Sequence, residues 1–198
     1  MSHFHTIKEP AEGLYKEKGS KFLAFAFPVT TEEEIRDHLE ELKKTYHDAR
    51  HHCYAYILGL KDQSYRANDD GEPGHTAGDP ILGQIRSKEL TNCLVAVVRY
   101  FGGTKLGVGG LIHAYKTAAA DALERAVLVS TFEKATFHLH FAYSITTEVE
   151  RILSDYEIEF ITKDYTDTCD FTGRVKEEQA GELMERLGAV YGVKVEGK

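Results

Sequence analysis

The chain is short of three things: cysteine, long apolar runs and positive charge. Its 198 residues include three cysteines, Cys53, Cys93 and Cys169. They are too few and too scattered for a disulfide framework or a CxxC metal site, and the odd count points to a reducing compartment. No apolar stretch approaches the roughly 18 residues of a membrane span. The run Phe22–Phe27 is too short for a signal-peptide core, and Lys8, Glu9 and Glu12 break up the stretch before it. A soluble, cytoplasmic protein without membrane contact is expected. Lys and Arg number 24 against 32 Asp and Glu, a net charge of -8, which excludes a basic nucleic-acid coat.

What remains is an ordinary globular mix, 42% hydrophobic and 28% charged, long enough for one large domain or two small ones. The charge is unevenly placed. Residues 1–135 carry a net of -2 and residues 136–198 a net of -6. Within the first part, residues 86–120 set Arg86, Lys88, Arg99, Lys105 and Lys116 against Glu89 alone, while residues 61–80 carry a net of -3. A mildly basic segment lies inside an acidic protein.

The last third alternates Phe137, Leu139, Phe141 and Tyr143 as a half-buried strand. Thr147 with Glu150 reads as a capping box before the helical stripe Val149, Ile152, Leu153 and Tyr156. Ile158–Phe160 and Cys169–Phe171 predict two strands around a turn at Lys163–Thr168. A helix through Ala180, Leu183, Met184 and Leu187, stopped by Gly188, leads to a final strand with Tyr191, Val193 and Val195. This βαββαβ order is the ferredoxin-like arrangement. The first part is also mixed. A strand at Lys21–Val29 precedes a helix capped by Thr31 and Glu34, with apolar Ile35, Leu39, Leu42 and Tyr46. Strands follow at His52–Leu60 and, nearly all apolar and therefore central, at Asn92–Tyr100. A long loop joins them. A helix from about Gly110 to Val129 then presents Leu111, Tyr115, Ala118, Ala119, Ala122 and Ala126 on one side. The fold class is α/β (α+β), with domains at residues 1–133 and 134–198.

Two loops are unusual. In Arg99–Leu111, glycines that permit close approach run into a helix start, which favours an anion. Arg99, Gly102, Gly103, Lys105, Gly109, Gly110, His113 and Lys116 are the residues for a phosphate or RNA-backbone site, with Tyr100 and Phe101 as stacking groups. The same stretch also reads as a tight strand-to-helix turn. It is neither a P-loop nor a dinucleotide fingerprint. The other loop brings together Asp69, Asp70, Glu72 and His75. Metal ligation, acid–base chemistry, a recognition surface and plain turn chemistry all suit it, though it fails the EF-hand template because Arg66 stands at the first ligand position. No metal or cofactor is assigned. Strand alternation places His52, Tyr54 and Tyr56 on one face and Cys53, Ala55 and Ile57 on the buried one, where a neutral thiol is inert. His138 and His140 share a strand face without a completing ligand. The open face of the second sheet, with Glu157, Glu159, Asp170 and Glu196 against Arg174 and Lys194, is acidic and poor in aromatics, which repels phosphate.

Taken together, Asp69–Pro73 (DDGEP), Thr76–Leu82 (TAG-x-P-I-L) and Arg99–Leu111 (RYFGG-x-KLG-x-GGL), followed by His113-Ala114-Tyr115, resemble the IMPACT family in its bacterial YigZ-type form, over essentially the whole chain. The resemblance implies a first domain similar to the second domain of ribosomal protein S-five and to domain IV of elongation factor G. It implies a ferredoxin-like second domain similar to the last domain of that factor. His75 stands where members usually have Gly, and His113 where many carry Lys or Arg, which makes charge there pH-dependent. Eukaryotic members bind an activator of a general-control kinase through an extra RWD domain, for which this chain offers no room. The expectation is a non-catalytic, translation-linked regulator whose partner is RNA, the ribosome or a translation-associated protein. The alternative is an enzyme that uses the Asp/Glu loop on a small phosphorylated substrate.

Overall fold

A computed structural model describes residues 3–60 and 64–197; Lys61 and Asp62 of the acidic segment lie outside it. The chain forms two compact units, one spanning Phe4–Thr131 and one running from Phe132 onward. No described helix is long and apolar enough to cross a membrane.

In the first unit a short strand β1 (His3–Ile7) is followed by β2 (Ala11–Glu17) and β3 (Ser20–Pro28), helix α1 (Glu32–Thr45), and strands β4 (His51–Leu58) and β5 (Ser64–Asn68). Helix α2 (Gly78–Ser87), strand β6 (Cys93–Tyr100), helix α3 (Gly107–Arg125) and strand β7 (Leu128–Phe132) complete it. The main sheet has the order β2-β3-β6-β4-β5, with every neighbour antiparallel. The near-continuous apolar run of β6 makes it the middle strand, buried on both faces. Helix α1 covers one face, packing Ile35 and Leu42 against Phe25, Tyr56, Leu94 and Val98. The other face takes α2 and α3, whose Ile81, Ile85, Ala118 and Ala122 pack on Cys53, Ala55, Val95 and Val97. Alanines at 114, 118, 119 and 122, all fully buried, let α3 lie close to the strands.

Thr31 and Glu34 form the expected capping box, Glu34 N–H donating to Thr31 Oγ1 and Thr31 N–H to Glu34 Oε2. Two expectations need correction. The long loop between the strands contains β5 and α2, hidden in the sequence by dense Gly, Asp and Pro. Helix α3 starts at Gly107 and stops at Arg125, because Leu128–Phe132 is drawn out to pair with β1.

The second unit comprises β8 (Lys134–Ala142), a 3-10 turn at Tyr143–Ile145, α4 (Thr146–Leu153), β9 (Glu159–Tyr165), β10 (Thr168–Lys176), α5 (Glu177–Gly188) and β11 (Lys194–Gly197). Its sheet order is β11-β8-β10-β9, again antiparallel. Phe137, Leu139, Phe141 and Phe171 meet Val149, Leu183 and Leu187 in its core. Thr147 caps nothing here. The helix has already begun at Thr146, whose hydroxyl donates to the Tyr143 carbonyl, and Glu150 accepts from the Tyr165 hydroxyl. Tyr143 and Tyr191 both lie outside the strands and are exposed. The expected turn at Lys163–Thr168 shrinks to two residues, because β9, an edge strand exposed along its whole length, lacks the alternation that would reveal it.

Candidate functional site

At one end of the main sheet, strand register sets Phe22 of β3, Arg99 of β6 and His51 of β4 side by side on the face covered by α2 and α3. Arg99 is only 6% exposed. Its guanidinium lies 5.4 Å from the Phe22 ring centre and 5.7 Å from that of Phe101, and Nη1 donates to Glu72 Oε1. The same carboxylate oxygen accepts from the Tyr115 hydroxyl of α3 at 2.8 Å. The two unusual loops therefore meet, joined by a buried Glu72–Arg99 pair. Arg99, expected as a phosphate contact, is committed inside the fold, because burial of its charge requires the carboxylate.

Cys53 Sγ sits 3.3 Å from the Tyr115 hydroxyl and 3.0 Å from the Asp69 carbonyl. Burial, foremost, pushes both the thiol and the Tyr115 hydroxyl well above their ordinary values. Neither ionises near neutrality, as expected for Cys53. His51 Nδ1 donates to the Asp70 carbonyl at 2.7 Å, since a carbonyl can only accept, and its Nε2 lies 3.9 Å from Glu72 Oε1. Sequence reasoning missed His51 and Tyr115 as parts of this cluster. The signal for both is positional: His51 falls opposite Arg99, and Tyr115 belongs to the α3 stripe that covers that row.

The acidic loop turns out to be built from its own carboxylates. Asp69 Oδ1 accepts from the N–H groups of Ala77 and Gly78 at 3.0 and 2.8 Å, and Oδ2 from that of His75 at 2.9 Å. Ala77, at the cap position of α2, has no side-chain acceptor, so Asp69 supplies one from outside. Burial alone would raise its pKa, but the three backbone donors outweigh it and hold the carboxyl below its ordinary value. Asp70 Oδ2 accepts from the His52 N–H at 2.6 Å. His75 is exposed, and its bond to Asp79 at 2.6 Å raises its pKa. No group of three or more His, Cys, Asp or Glu side chains among the described residues is arranged to hold a metal.

The Gly-rich stretch is anchored at its start and open beyond. Tyr100 donates its hydroxyl to Asp48 at 2.7 Å, which, together with partial burial, pushes its pKa up to about 12. Phe101 is 47% exposed. Gly102 N–H donates to Ser20 Oγ at 3.0 Å, and its Cα lies so close to the Gly19–Ser20 backbone that a Cβ would collide with it. From there Gly103, Lys105, Gly109, His113 and Lys116 all face solvent, and Gly110 is half-buried against Leu106. None of Lys105, His113 and Lys116 forms an ion pair with a described residue; the His113 ring meets Tyr15 edge-on. The first turn of α3 has neither a side-chain cap nor an acidic residue. In the second unit, His140 is bonded to Asp170 at 2.7 Å and His138 to Thr172 at 3.0 Å, so β10 engages both histidines.

These loops are the mark of a family. The model of the Impact N-terminal domain matches residues 18–123. The chain is 33% identical to IMPACT family member YvyE of Bacillus subtilis over 187 residues, covering 93% of this chain and 85% of that one. It is 33% identical to YigZ of Escherichia coli over 150 residues, 75% and 74% of the two chains. Against a Thermus thermophilus family member the identity is 48% over 107 residues, covering 54% and 56%. A crystal structure of a hypothetical protein superposes with a TM-score of 0.71 at 25% identity, covering 98% and 97%. The chain belongs to the IMPACT family.

Proposed function

We propose that the protein is a non-catalytic, translation-linked regulator that contacts RNA or the ribosome through the solvent-facing part of the Gly-rich loop and the start of α3. The observation that carries this reading is the exposure, without ion pairs to described residues, of Lys105 and Lys116 on either side of an uncapped helix start. It is favoured over an enzyme working through the acidic loop because Asp69, Asp70 and Glu72 are all engaged in holding backbone or Arg99. The βαββαβ order of the second unit is the ferredoxin-like arrangement. With domains at 1–133 and 134–198, the likeness to ribosomal protein S-five and to elongation factor G that the family resemblance implies supports a translation setting in the cytoplasm.

The test is co-sedimentation with ribosomes at low salt. Wild-type protein is expected in the ribosomal pellet, and Lys105→Ala with Lys116→Ala in the supernatant. Equal, poor sedimentation of both proteins refutes the reading.

A further inference from the structure

One helix is too narrow to cover a five-stranded sheet. Five strands at about 4.8 Å spacing span roughly 19 Å, whereas a helix with its side chains is about 10–12 Å across. The face that carries Cys53 and Val97 has two helices, α2 and α3. Among the described helices, α1 alone packs on the opposite face, and its apolar partners Phe25, Tyr56, Leu94 and Val98 belong to β3, β4 and β6. Beside it, over β4 and β5, lies a cavity of about 430 Å³, a size that suits a small molecule.

Two periodicities order its lining. Tyr54 and Tyr56, two apart on β4, face the same side, and Arg66 of β5 stands directly opposite Tyr56. On α1, Glu32, Arg36, Leu39, Glu40 and Lys43 recur at the three- and four-residue spacing of a single helix face. The floor is therefore aromatic and the rim charged, with Arg36 and Lys43 on the helix side and Arg66 on the strand side. Arg36 has a carboxylate four residues away in each direction, Glu32 and Glu40, a spacing at which ion pairs form readily. Neither pair is made, and Lys43 and Arg66 also form no ion pair with a described residue. These charges line the cavity instead. Burial, foremost, and the charge of Glu32 raise the pKa of Tyr56, which Arg66 opposes, so both sides of the rim act on the floor.

A molecule that matches this lining has a flat ring for the tyrosines, an anion for the three cations and hydroxyl donors for the two carboxylates. A bare phosphate or a plain polyanion meets repulsion from Glu32 and Glu40. A ribonucleotide carries all three groups, and its ribose diol donates to carboxylates. We propose that the groove between α1 and strands β4 and β5 binds a free ribonucleotide, with the base on Tyr54 and Tyr56, the phosphate among Arg36, Lys43 and Arg66, and the diol on Glu32 and Glu40. The groove lies on the sheet face opposite α3, apart from the surface assigned to RNA or the ribosome.

The test is isothermal titration calorimetry of the full chain with AMP, GMP, CMP and UMP, their nucleosides, their 2′-deoxy forms and inorganic phosphate. At least one ribonucleotide is expected to bind with a Kd of about 1 mM or tighter, at least about tenfold more tightly than its nucleoside or phosphate alone. Its 2′-deoxy form should bind more weakly, a gap that Glu32→Ala with Glu40→Ala closes. Arg66→Ala, at an exposed position, should weaken nucleotide binding about tenfold while the thermal melt of the free protein and sedimentation with ribosomes stay as in wild type. Tyr54→Leu should also weaken it. Lys105→Ala with Lys116→Ala should leave it unchanged.

Failure of every ribonucleotide to bind overturns the proposal, as does equal binding of nucleotide and nucleoside, of nucleotide and phosphate, or of ribose and deoxyribose forms. Binding that survives Arg66→Ala but is lost with Lys105→Ala and Lys116→Ala also overturns it, and moves the nucleotide to the Gly-rich surface. None of these outcomes refutes the ribosome reading, which stands or falls on sedimentation.

Discussion

Asp69 shows how single residues act here. Its two oxygens satisfy three backbone donors, two of them at the start of α2. Asn at this position would present an amide group to one of those donors, so Asp69→Asn is expected to cost about 1–3 kcal/mol at neutral pH, read from urea unfolding. The folded carboxyl titrates below its ordinary value. Its contribution is therefore complete above the usual aspartate pKa of about 3.9 and disappears as pH falls through the lower, folded value. The gap between wild type and variant should close over that acid range. None of this is visible in the sequence, because the donors lie six to nine residues downstream around a loop. Arg99 makes the same point. Its charge is evident from the sequence, but its burial depends on Glu72, 27 residues earlier.

At the scale of elements, local chemistry was legible and remote chemistry was not. The box at Thr31 and Glu34 is contained within four residues and forms as read. The box at Thr147 and Glu150 has the same spelling but fails, because a preceding 3-10 turn starts the helix two residues early. Helix α2 has no cap of its own, so nothing local announces it. Glycines in the second loop differ in the same manner. A Cβ at Gly102 meets the Gly19–Ser20 backbone, whereas one at Gly109, within α3, meets nothing within 4 Å. Gly102→Ala should thus destabilise by about 1–3 kcal/mol or more. Gly109→Ala should be neutral or stabilising by up to about 1 kcal/mol. Thermal melts of the two variants are expected to move in opposite directions, or the second not at all.

For the whole molecule, charge is segregated by sequence, and the net of -8 conceals it. The mixed α/β class, the central place of β6 and the antiparallel second sheet follow from apolar runs and alternation, which are properties of the whole pattern. The positive charge is harder to place, because Lys16 and Lys21 lie on the face of the main sheet that α1 covers, whereas Lys105 and Lys116 belong to the loop and helix α3 of the other face. If Lys105 and Lys116 meet phosphates of RNA, the log–log salt slope should be about -1.5 to -2. Replacing Glu159, Asp170 and Glu196 of the second unit by their amides would reduce the net negative charge by three while leaving that slope unchanged. Anisotropy titrations across a range of salt concentrations measure both.

The seating of Gly102 against Gly19 and Ser20 also has a consequence in time. The bond from Gly102 to Ser20 joins residues 82 apart, and β6, which carries that loop, lies between two strands made earlier, β3 and β4. While the chain is being synthesised, the β2–β3 hairpin emerges long before the Gly-rich loop, and β3 has no neighbour on its inner side until β6 arrives. Contacts of such long sequence separation form late. The loop is seated only when the middle strand closes the sheet, so a chain still in production has the hairpin without the loop that rests on it.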